Sequence, residues 1–184
     1  GKQNLYEFGG MHVPLVIAGP GIPRGKSDAF VYLMDLFPTL AEFAGAGLPE
    51  GVEGKSIVPI LNGTQTKVRG VLYTAYRDCQ RAIRDERWKL IRYPLVDRTQ
   101  LFDLSNDPHE LTNLADKPEH AAKIAELTEL LKREMADHAD KSQLTVAEPK
   151  PAEWTPPAAG SEPAKQAREK HAAVLKLRHQ GISG

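Results

Sequence analysis

Between Gly70 and Leu104 the chain offers four short segments, Gly70 to Tyr76, Gln80 to Arg84, Trp88 to Tyr93 and Gln100 to Leu104. Each alternates or bunches apolar residues between turn signals, and four such neighbours predict an antiparallel sheet. Asp107-Pro108 breaks the last strand. After Pro118, Ile124, Leu127, Leu131 and Met135 recur at helical spacing with Lys and Glu between them. One face of a long helix is therefore apolar, and the sheet is its natural cover.

Upstream the pattern is different. Met11 to Ala18 is a short apolar run ending in the turn-forming Gly19-Pro20-Gly21-Ile22-Pro23, which predicts a buried strand of the parallel type. Ala29 to Met34 predicts a second strand. Asp35 is placed to cap a helix from Leu36 to about Ala44, with Pro38 in its first turn and Gly45 and Gly47 as the stop. Pro49 to Gly54 is turn-rich, and Ile57, Val58, Ile60 and Leu61 form an apolar patch before Asn62-Gly63-Thr64. The change of pattern near Asn62 divides the chain into residues 1–63, 64–140 and a Pro/Ala/Lys/Glu-rich tail, 141–184. Pro149, Pro151, Pro156, Pro157 and Pro163 make that tail extended, with a terminal helix expected from Glu162 to Arg178.

Twenty-four basic residues balance twenty-four acidic ones, so no global field favours nucleic acid, and none is expected as a partner. No apolar run approaches the roughly 20 residues that span a bilayer. Cys79 is the single cysteine, which excludes an internal disulfide and every multi-cysteine metal site. It stands between Asp78 and Gln80, where carboxylate charge raises a thiol's pKa, and so reads as a buried or half-buried structural residue.

Three groups of residues together resemble the sulfatases. The first is Gly1-Lys2 with Tyr6-Glu7, closely followed by Val13-Pro14-Leu15-Val16. The second is Asp35-Leu36-Phe37-Pro38-Thr39-Leu40, leading through Ala44-Gly45 to Gly54-Lys55-Ser56. The third is Arg87-Trp88-Lys89-Leu90-Ile91-Arg92-Tyr93, then Leu101-Phe102-Asp103-Leu104, Asp107-Pro108-His109-Glu110 and Asn113-Leu114-Ala115. The resemblance covers residues 1 to about 140. It implies an α/β fold: the C-terminal part of an alkaline-phosphatase-like α/β domain, followed by a small four-stranded antiparallel sheet packed on a helix. It also implies that the chain begins mid-domain, in the C-terminal part of an enzyme that hydrolyses a carbohydrate or aryl sulfate monoester in the periplasm or outside the cell.

Sulfatases carry a Cys or Ser within a Cys/Ser-x-Pro-x-Arg motif, oxidised to formylglycine, beside a calcium ion. No such motif occurs here, and Cys79, followed by Gln80-Arg81-Ala82, is not that residue. Formylglycine and calcium are thus implied with their residues upstream, and the 184 residues alone are expected to be inactive. Lys2 matches a family lysine whose ammonium contacts a sulfate oxygen, the one catalytic residue expected here. His12 stands where the family usually has an arginine, so substrate binding and a structural role are both open to it. Arg77, at a predicted strand end, could bind a sulfated or carboxylated sugar, or pair with Asp78 or Glu86.

Other residues read more plainly. Trp88 and Tyr93 alternate with Leu90 and Ile91 and are expected in the core rather than against a sugar. Asp103, Asp107 and Glu110 are expected to build a turn and hold no metal. Asn62-Gly63-Thr64 matches a glycosylation sequon and is read as a turn. Two other functions compete with the sulfatase reading: a phosphodiester or phosphonate monoester hydrolase of the same superfamily, and a non-catalytic sheet-and-helix module.

Overall fold

The structure, a computed structural model, describes residues 4–153, 155–156, 158–162, 165–166, 168–169 and 172. It divides into two compact units, Gly1–Lys150 and Pro151–Gly184. Most of the terminal helix expected from Glu162 to Arg178 lies outside the described residues. No helix among the described residues is long and apolar enough to cross a membrane.

The first unit is built on the four expected strands, β1 (Leu72–Tyr76), β2 (Gln80–Arg84), β3 (Trp88–Tyr93) and β4 (Arg98–Asp103), all antiparallel and in sequential order. The β1–β2 hairpin closes at Tyr76 opposite Gln80, and β3 runs against β4 from Trp88–Asp103 to Tyr93–Arg98. β4 starts earlier than its apolar pattern indicates. A tight connection through Pro94–Val96, with Asp97 at φ +43°, brings polar Arg98 and Thr99 into the ladder, and backbone pairing does not require apolar side chains.

Both faces of the sheet are covered. The helix that follows Pro118 runs from Ala121 to Asp137 and packs Leu127, Leu131 and Met135 against Tyr73, Ile83, Leu90 and Leu101. Leu5 packs on the opposite face against Ala82, Ile91 and Phe102, with Tyr6 and Met11 at its border. Burial on both sides is why these strands bunch their apolar residues, and each fully buried Leu or Ile contributes about 1.5–3 kcal/mol. The chain leaving the helix is locked by Asp140, which accepts hydrogen bonds from Arg81 Nε at 2.6 Å and from the Tyr73 hydroxyl. Burial would raise the Asp140 pKa, but these donors and Ser142 outweigh it and hold the carboxyl well below the usual range.

Each sheet edge is blunted by a side chain that imitates backbone. On β4, Asn113 Oδ1 accepts from Leu101 N–H at 2.9 Å, its Nδ2 donates to the Thr99 carbonyl, and Leu114 N–H donates to the Leu101 carbonyl. On β1, the Tyr32 hydroxyl accepts from Tyr73 N–H (2.6 Å) and donates to Tyr73 O (2.8 Å). Free ladder groups on an edge invite unwanted pairing, and these contacts occupy them.

Tyr32 belongs to the segment preceding the sheet, where two expectations need correction. Met11 to Ala18 is not a buried strand here: it joins no strand ladder and is largely exposed, with Val16 88% accessible. Strand geometry is held by a ladder, and none of the described residues runs beside it. Ala29 to Met34 likewise joins no strand ladder, ending in a single tight turn at Leu33–Asp35. The next helix, α1 (Leu36–Phe43), does form, and stops as expected: Gly45 takes φ +63° and Ala46 N–H returns to the Ala41 carbonyl. Val58–Leu61 makes one further helical turn, α2; α3 is the long helix on the sheet.

Asp35 does not cap α1 with its side chain. Its carboxylate is fully buried and turns back to accept Tyr32 N–H (2.7 Å), Lys55 N–H (2.8 Å) and both arms of the Arg69 guanidinium (2.5 and 2.7 Å). Gly54 lets the Lys55 strap approach, because an added Cβ would run into the Met34 carbonyl. Burial pushes the Asp35 pKa up, yet the Arg69, Lys55 and Tyr32 donors overcome this and leave it lowered.

Removing one member of such a pair strands a buried charge at a cost of about 3–5 kcal/mol. Arg69→Met is expected to destabilise the protein by that order, read as a fall in thermal midpoint; an unchanged midpoint would exclude a structural role for the pair. A second expectation follows from α1, whose Phe37, Leu40 and Phe43 are exposed beside Leu33, which is 77% accessible. The 184-residue chain expressed alone should bind a hydrophobic dye strongly or self-associate. A monodisperse, dye-silent monomer would contradict this.

Candidate functional site

Residues 4–12 form a closed loop on the sheet face opposite α3. Asn4 Oδ1 accepts Tyr6 N–H, Gly9 takes φ +74°, and two bonds seal the loop: Met11 N–H to Tyr6 O (2.9 Å) and His12 N–H to Glu7 O (3.0 Å). Gly10 lies so close to Asn4 that a Cβ would meet the Asn4 carbonyl oxygen at 2.8 Å. Three consecutive residues anchor the loop. Leu5 enters the apolar cluster; the Tyr6 hydroxyl donates to Gln100 Oε1 (2.8 Å), which also accepts from Tyr93 (2.7 Å). Burial and the adjoining Tyr6 phenol push the Tyr93 pKa well up.

Glu7 is the third anchor. Its carboxylate meets Lys89 Nζ at 2.9 Å and Arg84 at 2.5 Å, and Lys89 Nζ lies 2.7 Å from Glu110. The second Glu110 oxygen accepts Glu7 N–H at 2.6 Å. Lys89 and Glu110 are almost wholly buried, and Arg84 also lies over the Phe30 ring at 5.0 Å. Two cations and two anions make the cluster formally neutral, so no isolated charge is taken out of water. Sequence reading did not single out this set. The cue lies in the strand register rather than in the sequence: Arg84 and Lys89 stand directly opposite each other across β2 and β3, and like charges so placed repel unless an anion comes between them.

Of the residues expected to carry function, Lys2 lies outside the described residues. His12 is exposed, with its backbone N–H in the loop seal. Arg77 is also exposed, at the tip of the β1–β2 hairpin in a left-handed conformation (φ +47°), its guanidinium 5.5 Å from the Tyr76 ring. Neither Asp78 nor Glu86 is within ion-pair distance of it, and Glu86 instead pairs with Lys67. Tyr76 and Met11 pack against the same cluster, so the chain neighbours of Arg77 and His12 share one sheet face.

The other candidates have structural duties. Asp103 forms a fork with Arg87 (3.0 and 2.7 Å), which with the Asn106 amide lowers its pKa to about 2. Asp107 caps the N–H groups of Leu111 and Thr112, the expected turn. Trp88 packs at the helix-side core, 5.5 Å from the His120 ring, and Tyr93 is committed to Gln100. Asn62 Oδ1 accepts from Thr64 N–H and Oγ1, making the sequon a turn. No group of three metal-ligating side chains is gathered among the described residues, and the carboxylates of Asp103, Asp107 and Glu110 are engaged by neighbours. The described residues therefore do not fit a calcium site.

Cys79 does not fit the role of a modified nucleophile either. It is half-buried in the hairpin loop, and its thiol donates to Asp78 Oδ1 at 3.3 Å. That bond, aided by burial and the carboxylate charge, raises its pKa.

A family model described as N-sulphoglucosamine sulphohydrolase, C-terminal, matches residues 1–137. Choline-sulfatase of Rhizobium meliloti (strain 1021) is 41% identical over 134 residues, covering 69% of this chain and 26% of the relative. Among solved structures, phosphonate monoester hydrolase SpPMH from Silicibacter pomeroyi aligns with a TM-score of 0.68 at 26% identity, over 77% of this chain and 32% of that one. BT4656 in complex with its substrate D-glucosamine-2-N,6-O-disulfate aligns with a TM-score of 0.53 at 29% identity, over 58% of this chain and 24% of that one. The chain spans about a quarter of the length of the curated relatives it matches. These likenesses agree with the fold described above, the C-terminal portion of an alkaline-phosphatase-like α/β protein with its antiparallel sheet.

The raised Cys79 pKa gives a chemical test. Asp78→Asn removes the carboxylate that opposes thiolate formation, so alkylation of Cys79 by iodoacetamide at pH 8 should speed up by a factor on the order of two to five, followed by mass spectrometry. An unchanged rate would show that Asp78 does not set the thiol's reactivity.

Proposed function

The chain belongs to the N-sulphoglucosamine sulphohydrolase C-terminal family, and from that premise we propose that its parent protein hydrolyses a sulfate monoester of a carbohydrate or other small molecule. The observation that carries this reading is the family match over residues 1–137, supported by a curated sulfatase 41% identical to the chain. The disulfated glucosamine bound by a structural neighbour supports a sugar sulfate as the substrate class.

On this reading residues 1–63 close the catalytic α/β domain and 64–140 form its C-terminal subdomain. Formylglycine would supply the parent's nucleophile and calcium a local positive charge, both held by sequence other than these residues. Lys2 is the chain's catalytic contribution. As the S–O bond breaks, negative charge grows on the sulfate and leaving-group oxygens, and a fixed ammonium stabilises that charge more in the transition state than in the ground state. His12 and Arg77 border the same face and serve the organic part of the substrate. The chain alone is inactive on this reading, because one lysine supplies neither nucleophile nor leaving-group acid.

The likeness to a phosphonate monoester hydrolase supports a second reading, in which the parent acts on phosphonate monoesters or phosphodiesters. Steady-state rates of the full-length protein on an aryl sulfate and on a phenyl phosphonate monoester decide between them. The sulfate ester is expected to have the higher kcat/KM; a clear preference for the phosphonate would overturn the sulfatase assignment. On the preferred substrate Lys2→Ala should lower turnover by a factor on the order of 100, about 3 kcal/mol, with Lys2→Arg a poor rescue because a planar fork does not replace a compact ammonium. Near-normal turnover of the alanine variant would remove Lys2 from the active site.

A further inference from the structure

We propose that Asn62 is an acceptor for an N-linked glycan, the oligosaccharide being transferred from a lipid-linked pyrophosphate donor. Asn62-Gly63-Thr64 is the acceptor pattern Asn-x-Thr with no proline in the middle, and Asn62 is the one asparagine of four in the chain that stands in it. Such a match arises often by chance; exposure and side-chain geometry decide whether it can be used. The triplet follows directly on α2, and residues 62–67 are all exposed. Asn106 and Asn113, by contrast, spend their side chains on Asp103 and on the edge of β4.

The turn treats the two ends of the Asn62 carboxamide differently. Oδ1 is occupied, accepting Thr64 N–H at 3.0 Å and the Thr64 hydroxyl at 2.7 Å. Nδ2 donates to none of the described residues. The hydroxyl has one hydrogen and a second acceptor, the Pro59 carbonyl at 3.2 Å, but the Asn62 contact is the shorter. A donor on the carboxamide oxygen makes the amide N–H more acidic, which favours loss of the proton that must leave when the nitrogen forms a new bond. The backbone around it is anchored on α2, with Gly63 N–H donating to the Ile60 carbonyl (3.2 Å) and Gln65 N–H to the Pro59 carbonyl (2.9 Å). Gly63 takes φ +77°, and a Cβ built there would meet nothing within 4 Å, so the flank of the turn is open.

In the transfer, Nδ2 bonds to C1 of the first sugar, and the C1–O bond to the pyrophosphate breaks with its electron pair on the departing lipid pyrophosphate. A base of the transferase takes the amide proton, and nothing is oxidised or reduced. Nδ2 carries two hydrogens, so replacing one leaves Oδ1 and both its contacts in place and the turn survives the modification. The glycan then stands in solvent, as a bulky polar group on an exposed turn should. Closing the turn uses the Thr64 N–H, which any residue but proline supplies; the hydroxyl is the element specific to an acceptor. None of this depends on which reaction the parent protein catalyses.

For the test, the full-length protein is directed into the secretory pathway of a eukaryotic cell, with a known glycoprotein expressed beside it as the control for transferase activity. The peptide containing Asn62 is read by mass spectrometry after peptide-N-glycosidase treatment in heavy-oxygen water, which converts a glycosylated asparagine to a labelled aspartate. Most molecules are expected to carry the label at position 62. Asn62→Gln and Thr64→Ala should lose it, and Thr64→Ser should keep it in part. An unlabelled Asn62 in a cell that glycosylates the control would overturn the proposal, as would label surviving at Asn62 in Thr64→Ala. Secreted and cell-retained protein are read separately, so a protein that does not leave the cell is still scored. Label confined to retained, aggregated protein would show that the fold does not accept the glycan and would also overturn the proposal. If the Thr64 variants do not fold, the label on the unsubstituted protein, and its loss in Asn62→Gln, decide the question.

Discussion

The Asp35–Arg69 fork is the contact on which the arrangement of the first unit depends. The segment before the sheet has little regular structure, and α1 leaves much of its apolar surface exposed, so apolar packing alone does not fasten it. Asp35 fastens it by accepting from four donors contributed by three stretches of chain: Tyr32, the Lys55 strap and Arg69, the last just before β1. Arg69 also donates to the Phe30 carbonyl and lies 4.5 Å over the Tyr32 ring, the same ring whose hydroxyl closes the free edge of β1. One fully satisfied carboxylate thereby sets the position of the segment and the cover of a sheet edge together. Charge-assisted, bidentate bonds suit this task because they fix direction as well as distance.

The same device recurs on the sheet face opposite α3. There Glu7, Arg84, Lys89 and Glu110 do for the loop 4–12 what Asp35 and Arg69 do for residues 30–55. In both places an irregular segment is gripped through backbone N–H groups as well as side chains. Buried polar groups must be paired, and a pairing that also uses the backbone leaves few alternative registers for the loop. The apolar cluster around Leu5 supplies burial without direction; the ionic cluster supplies direction.

This division of labour bears on function. On the proposed reading the chain's catalytic charge is Lys2, which stands two positions before Asn4 in sequence, where the described loop begins. Rigid scaffolds with functional loops commonly solve the problem by anchoring the loop ends. The sheet described here, sandwiched between α3 and the loop, is such a scaffold, while His12 and Arg77 are left exposed beside it.

Much of this architecture was legible in the residues. The period-two and bunched segments from Gly70 to Leu104, the helical spacing of Ile124 to Met135, the Gly45 stop and the Asp107 turn are local properties, each set by side-chain periodicity or by one residue's conformational preference. The family resemblance was legible for the same reason, since it is carried by ordered short motifs. What only the tertiary structure decided is pairing. Met11 to Ala18 has the composition of a strand, but a strand is made by its neighbours, and none of the described residues supplies one. Asp35 has the type and position of a helix cap, yet Arg69, distant in sequence, takes its carboxylate because a buried charge is satisfied first by an opposite charge. Glu7 with Lys89 and Glu110 was hidden likewise: each is an ordinary charged residue in sequence, and only the register that sets Arg84 against Lys89 makes an anion between them necessary.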